Sequence, residues 1–373
     1  MEKTEIIQLA TPAIQKLQPY QPGKPISELE RELGLEEIIK LASNENPLGT
    51  NPKVQAVIQE NLTELTRYPD GNGFELKRAL AQKLNVDVEQ ITLGNGSNDV
   101  LDLIARTFLT TESEALFSEY AFAVYPISTQ AVGAMAAISP AGRGESWMKY
   151  GHDLDAMAAR INEKTGVIFV ANPNNPTGTW FGKQQLESFL NVIPSHVIIV
   201  LDEAYFEYVK DSDYPDATRY LAQYPNLIVT RTFSKAHGLA GLRVGYSLSS
   251  AEIADLLNRV RQPFNVNSLA LLAAEVALND DAYLEETRRL NGQGVKQLTE
   301  ALTQQGFNVI PSAGNFICVD FGKPAMPLYE ALLKKGVIVR PLANYGLPNH
   351  LRISIGSEYE NQFFINALAS LAT

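Results

Sequence analysis

Apolar positions along this chain fall into two spacings. Gly166-Val-Ile-Phe-Val-Ala171 and His196-Val-Ile-Ile-Val-Leu201 are continuous runs rich in β-branched residues, the pattern of strands buried on both faces of a sheet. Gln90–Leu93, Ala115-Leu-Phe117, Leu227-Ile-Val-Thr230 and Val244–Leu248 predict further strands. Phe74–Leu84, Asp99–Leu109 and Lys183–Val192 show helical spacing, with Val100, Leu101, Leu103, Ile104 and Phe108 forming the apolar stripe of the second. Strands alternating with helices predict an α/β domain around a mostly parallel sheet. After Ser268 a helical stretch is expected to run to roughly Leu302. Phe307–Ile310, Asn315–Phe321, Val337–Val339 and Leu351–Ile355 then read as strands with helices between, a smaller α+β unit. The Pro- and Gln-rich start, with Pro12, Pro19, Pro22 and Pro25, reads as an arm followed by one amphipathic helix around Ile26–Leu33. The expected division is an arm and helix over 1–45, a large α/β domain over 46–265, and a small C-terminal α+β domain with its connecting helix over 266–373.

Composition narrows what such a fold can do. At 373 residues the chain is long enough for two or three domains, and 45% hydrophobic against 20% charged residues suits a packed core. Its 31 Lys and Arg against 42 Asp and Glu leave a net charge of −11, which argues against nonspecific nucleic-acid binding. An anionic ligand would need a few arginines to converge locally. The single cysteine, Cys318, excludes an internal disulfide and a cysteine-based zinc site, and reads as a buried strand residue. His152, His196, His237 and His350 are scattered without metal-ligand spacing, so no metal is expected. The charged start Met1-Glu-Lys-Thr-Glu lacks an apolar signal core, and no apolar run approaches the ~18 residues that span a bilayer. No membrane is expected, and the cytoplasm is the expected location.

Four segments at predicted strand ends have unusual composition, and in an open α/β sheet the ligand lies outside those ends. Gly94-Asn-Gly-Ser-Asn98 opens a helix, whose free N–H groups suit a phosphate, although a plain capped turn has the same look. Asn172-Pro-Asn-Asn-Pro-Thr-Gly178 forms a tight, extended loop, which a turn alone would not need. Asp202, in Leu201-Asp-Glu-Ala-Tyr205, ends an apolar strand, where a carboxylate needs a partner unless it merely caps a helix. Lys235 lies among the small residues of Arg231-Thr-Phe-Ser-Lys-Ala-His-Gly-Leu-Ala-Gly-Leu-Arg243, where the plainer reading is a solvated lysine. Together they say more. A lysine amine forms Schiff bases with carbonyls, and a carboxylate beneath a pyridine nitrogen keeps it protonated. Tyrosine and asparagine can hold a phenolic oxygen, and a helix N-terminus with Ser and Arg can hold a phosphate ester. These are the requirements of pyridoxal 5′-phosphate (PLP).

The order of Gly-Asn-Gly-Ser-Asn, Asn-Pro-Thr-Gly, Asp-Glu-Ala-Tyr, Ser-Lys and Arg243 resembles the fold-type I PLP-dependent aminotransferases. More narrowly, Leu41-Ala-Ser-Asn-Glu-Asn-Pro-Leu-Gly49, Arg67-Tyr-Pro-Asp70, Gly94–Asn98, Arg231–Arg243 and Leu351-Arg-Ile-Ser-Ile-Gly356 are similar to the histidinol-phosphate aminotransferases, from about Pro19 to Gly356. The resemblance implies the transferase fold of type I, with a mostly parallel, seven-stranded sheet in the large domain, and a homodimer. It makes Lys235 the Schiff-base lysine and proton shuttle, Asp202 the partner of the pyridine nitrogen, and Tyr205 and Asn175 the ligands of the phenolic oxygen. Gly96, Ser97, Asn98, Ser234 and Arg243 would form the phosphate cup. Tyr120 would stack on the ring, although Ser118-Glu119 stands where the family usually has proline. Tyr68 would reach the phosphate of the neighbouring subunit. Arg352 would clamp the amino-acid carboxylate, and Arg340, with Tyr20, Asn44 and Asn315, would line the pocket for a substrate phosphate. The implied reaction moves an amino group between histidinol phosphate and 2-oxoglutarate, giving glutamate. An aromatic amino-acid aminotransferase, a PLP-dependent decarboxylase of an O-phospho amino acid, and a noncatalytic PLP-binding module remain as alternatives.

Overall fold

The computed structural model describes residues 3–143 and 148–371; the Met1–Glu2 start of the charged N-terminus lies outside them. Seven strands form the large sheet: β1 (Ile91–Gly94), β2 (Glu114–Ser118), β3 (Met135–Ser139), β4 (Thr165–Ala171), β5 (Ile198–Asp202), β6 (Leu227–Thr232) and β7 (Gly245–Leu248). They lie in the order β1-β7-β6-β5-β4-β2-β3. Every neighbouring pair is parallel except those of β7, which runs antiparallel to both β1 and β6. This is the mostly parallel α/β sheet that the alternating pattern predicts. The two continuous apolar runs occupy its middle as β4 and β5. Val167, Ile168, Phe169, Val170, Ile199 and Val200 are fully buried there, because helices cover both faces.

A smaller antiparallel sheet holds β8 (Asn308–Ile310), β9 (Phe316–Asp320), β10 (Arg340–Pro341) and β11 (His350–Ser354), in the order β10-β11-β9-β8. A two-residue strand, Ile39–Lys40, pairs in parallel with Val337–Ile338, so the segment after the first helices is stitched to this second unit. The helix Ile26–Leu33 is present, and ends on Gly34 in the left-handed conformation.

Two expectations change. The helical stretch after Ser268 is two helices, Ser268–Leu278 and Asp281–Gln304. Asp280 interrupts it by capping the second helix, accepting from Tyr283 N, while its carboxylate also pairs with Lys53 and Asn51. The edge strand β3 was not anticipated, because Met135 and Ile138 are exposed on an outer strand and Met135-Ala-Ala-Ile-Ser139 lacks alternation. No described helix is long and apolar enough to cross a membrane. No cluster of metal-ligating side chains occurs among the described residues.

Candidate active site

The carboxyl ends of β4, β5 and β6 open onto one cavity, closed on its other side by β10, β11 and the segments around Tyr20 and Ser43. Four cationic side chains line it, Lys235, Arg243, Arg340 and Arg352, against one carboxylate, Asp202. A chain of net charge −11 therefore concentrates positive potential at this point, which suits an anionic ligand.

Asp202 is the last residue of β5, the place where the sheet delivers a side chain to the cavity. It is buried and fixed by two hydroxyls: Tyr125 Oη donates to Oδ2 at 2.8 Å and Thr230 Oγ1 to Oδ1 at 3.0 Å. Burial raises the pKa of its carboxyl and these hydrogen bonds draw it back. Lys235 Nζ donates to Ser43 O at 3.0 Å. Burial, then the neighbouring Arg352, Arg243 and Lys40, push its amine down to about 7, with Glu45 opposing. An amine at that value is half neutral at physiological pH, and so is poised as a nucleophile or base.

Opposite Lys235, Gly96 closes the loop after β1 at φ +84°, and a Cβ placed there would lie 2.5 Å from Arg243 Nη2. Gly245, the first residue of β7, would clash likewise with Ser97 N at 2.5 Å. The loop can come this close only because both positions lack a side chain. Its helix, Ser97–Phe108, points its N-terminus at the cavity, with Ser97 and Asn98 on the wall. Arg243 Nη1 donates to Ser234 Oγ at 3.3 Å and Ala240 O at 3.1 Å, and no carboxylate pairs with it among the described residues. Helix N-terminus, hydroxyls and an uncompensated guanidinium make a phosphate cradle.

The other wall carries the substrate-facing candidates. Arg340 and Arg352 are cross-strand partners of β10 and β11. Arg352 Nη1 donates to Asn175 Oδ1 and Nη2 to Ala42 O, both at 2.6 Å, while its buried Nε lacks a partner among the described residues. Arg340 Nη2 donates to Gln21 O at 2.6 Å, and its guanidinium lies 5.8 Å from the Tyr20 ring centre. Tyr205 Oη accepts from Asn44 Nδ2 at 2.9 Å, which leaves the phenol proton free to donate elsewhere. Burial pushes this phenol up to about 12, so it keeps that proton. Asn44 is locked in turn by Ser354, which donates from Oγ to Asn44 Oδ1 at 2.8 Å, and by Asn315, which donates to Asn44 O at 2.9 Å.

The structure thus brings together Lys235, Asp202, Tyr205, Asn175, Ser97, Asn98, Ser234, Arg243, Tyr20, Asn44, Arg340 and Arg352 on one wall or another. Gly96 stands immediately behind Arg243, and Asn315 behind Asn44. One assignment falls elsewhere. Tyr120 does not line the cavity: its ring turns away to pack with Leu342, Tyr345 and Tyr150, and its carbonyl accepts from Asn174. Phe122, two residues on, faces the cavity instead. The chain enters the helix Val124–Ala131 just here, and one turn of helix spacing places Phe122 edge-on to Tyr125 at 5.9 Å. Tyr68, expected at a neighbouring subunit's site, lies outside this chain's own cavity, 82% exposed and stacked on Phe264 at 4.8 Å. Tyr125 and Thr230 are missed by sequence reasoning, since nothing local ties residue 125 to residue 202.

The donor set fits pyridoxal phosphate. A Cβ at Gly96 would fill the space against Arg243, a carboxylate fixed by hydroxyls sits at a strand end, and Lys235 lines the same cavity. This architecture and site define a class, and the model of the family described as aminotransferase class I and II matches residues 36–368, so the chain belongs to that family. Within it, the chain is 60% identical over 362 residues, 96% of each chain, to histidinol-phosphate aminotransferase 2 of Pseudomonas fluorescens. It is 59% identical to the protein of that name from Pseudomonas aeruginosa, over 99% of each chain. The solved structure of histidinol-phosphate aminotransferase from Sinorhizobium meliloti in complex with pyridoxal-5′-phosphate superposes with a TM-score of 0.88 at 28% identity, covering 97% of this chain and 98% of that one.

Proposed function

We propose that this chain is a PLP-dependent aminotransferase that interconverts L-histidinol phosphate plus 2-oxoglutarate with imidazole-acetol phosphate plus L-glutamate, a step of histidine biosynthesis. The observation that carries it is the pairing of Arg340 and Arg352 across one strand ladder, both directed into the cavity that holds Lys235 and Asp202. The names and identities of the relatives support the same substrate.

When bound, pyridoxal phosphate supplies an aldehyde that carries the amino group and a ring that takes up the electron pair released at the substrate carbon. Lys235 would hold the aldehyde, and its neutral Nζ would move the proton at the substrate carbon. Asp202 would pair with the ring nitrogen and hold a proton there. Tyr205 Oη and Asn175 would hold the phenolic oxygen, with Asn44 fixing the direction in which the phenol donates. Gly96, Ser97, Asn98, Ser234 and Arg243 would hold the phosphate ester, and Phe122 would cover the ring face. Arg352 would take the carboxylate of glutamate through its paired N–H groups, and Arg340 would take the substrate phosphate, beside Tyr20.

The same reading includes a homodimer. Leu65, Tyr68, Phe74 and Phe264 expose apolar surface on one side of the large unit, and such a patch fits a second copy. Tyr68 would then reach the partner's phosphate cradle. Mixing Lys235→Ala with Tyr68→Ala protein should regenerate some intact sites and recover activity; no recovery despite demonstrated subunit exchange counts against the shared site. A cytoplasmic location belongs to this reading too, resting on its diffusible substrates.

The deciding assay measures glutamate formed from 2-oxoglutarate with histidinol phosphate, phenylalanine or O-phosphothreonine as donor. Histidinol phosphate should give the largest kcat/KM. A preference for phenylalanine would make the protein an aromatic aminotransferase, and release of carbon dioxide from O-phosphothreonine would make it a decarboxylase.

A further inference from the structure

We propose that Tyr125 is a positioning residue for this reaction: its buried phenol holds the Asp202 carboxylate ionised and aimed at the cofactor's ring nitrogen. The inference rests on the reading of Asp202 given above.

Asp202 faces an unusual problem. It is 4% exposed, and no cation pairs with it among the described residues. Buried without a counter-charge, a carboxyl group favours its neutral form, and a neutral acid cannot keep a proton on a pyridine nitrogen. Hydrogen-bond donors must therefore offset the lost hydration. Thr230 serves Oδ1, Tyr125 serves Oδ2, and the backbone N–H of Ala204 adds a third, weaker contribution. A phenol is the stronger acid of the two hydroxyls, and so the better donor to an anion.

Tyr125 is also held as a fixed donor. It is fully buried, stacks on Phe169 with centroids 4.9 Å apart and planes 10° apart, meets Phe122 edge-on, and tilts against Phe117 at 6.4 Å. Phe169 belongs to β4, the strand beside β5, so the ring is docked on the same sheet that presents Asp202. Burial and the adjacent carboxylate raise the phenol's pKa well above its ordinary value, so it stays protonated and donates. Packing alone does not call for the hydroxyl, because phenylalanine would fill the same aromatic cage. The start of one helix thus builds two parts of the site: Phe122 on the wall, and the Tyr125 hydroxyl at Asp202.

The test uses the full chain carrying Tyr125→Phe, with Tyr125→His to restore a donor and Thr230→Val to remove the donor on the other oxygen. A thermal melt of each variant checks folding. Three quantities are read: the dissociation constant of PLP, the 15N resonance of the ring nitrogen of labelled PLP between pH 6 and 9, and kcat against KM for glutamate. Losing one charge-assisted hydrogen bond should weaken PLP binding about 10-fold. Tyr125→Phe should also move the 15N resonance toward the unprotonated form and lower kcat about 10-fold, with KM for glutamate nearly unchanged. Thr230→Val should shift the resonance in the same direction, and Tyr125→His should restore part of each quantity. If Tyr125→Phe does not fold, Thr230→Val and Tyr125→His decide. Wild-type affinity and resonance in a folded Tyr125→Phe protein overturn the inference. A wild-type chain that takes up no PLP overturns the proposed function itself.

Discussion

The carboxylate on one wall of the cavity and the arginines on the other are held in different ways. On the large-sheet side, Asp202 is held by the side chains of Tyr125 and Thr230, and Gly96 brings the cradle against Arg243 with no room for a Cβ. These contacts are internal to the sheet and its helices. On the small-sheet side, Arg352 and Arg340 use backbone carbonyls of the N-terminal segments, Ala42 O and Gln21 O, Arg352 also uses Asn175 Oδ1, and the Nε of Arg352 has no partner among the described residues. Asp202 takes both of its hydroxyl donors from the large unit, whereas Lys235, Arg340 and Arg352 lean on N-terminal carbonyls that a ligand can replace. The fixed carboxylate fits a cofactor that stays bound, and the two arginines fit substrates that exchange at every turnover.

Mutations should separate the walls. Lys235→Ala should lose all measurable turnover while the fold persists, and borohydride reduction of the wild-type protein with PLP should place the cofactor's mass on the Lys235 peptide. A label on another lysine would falsify the assignment. Asp202→Asn keeps the size and removes the charge, and should lower kcat by about 10²-fold or more, the scale of a lost electrostatic stabiliser. On the other wall the loss should depend on substrate. Arg340→Ala should reduce kcat/KM for histidinol phosphate by roughly 10- to 150-fold and that for phenylalanine far less, the range expected for one charge-assisted contact. Arg352→Ala should impair the glutamate half-reaction whichever donor is paired with it. Equal losses for both donors in Arg340→Ala would make Arg340 structural and shift the weight to an aromatic aminotransferase. The smallest effect is one of pH. Only the neutral amine attacks an aldehyde, and burial and the neighbouring arginines bring Lys235 down to about 7. Covalent uptake of PLP should therefore accelerate as pH rises toward 7 and level off above it. A lysine at its ordinary value of 10.5 would keep accelerating beyond pH 9.

The same contrast explains what could be read from the sequence. The strands β4 and β5, the helices Phe74–Leu84 and Lys183–Val192, and the motif residues at strand ends are local features, so periodicity and spacing display them. Lys235, Asp202 and Arg243 stand out as candidates for that reason, and the family resemblance supplies their expected roles. The support behind them does not stand out. Tyr125 and Asp202 are 77 positions apart and meet only because β4 and β5 are neighbours and a helix packs over them. Tyr120 and Phe122 have similar local chemistry, and only the turn into the helix decides which ring faces the cavity. Asp280 splits a helix through Lys53 and Asn51, more than 220 residues away in the chain, a contact no local window contains.

The register that places Arg340 opposite Arg352 has a thermodynamic side. Like charges on directly facing strand positions repel, and here the neighbouring acceptors are uncharged carbonyls and an amide. An anion bound at either guanidinium offsets that repulsion. The small sheet's resistance to unfolding is coupled to occupancy: a bound dianion relieves the repulsion and adds RT ln(1 + [L]/Kd) to stability. The strands carrying the two arginines should then exchange their amide hydrogens more slowly as substrate accumulates, so the sheet is firmest when the enzyme has work to do.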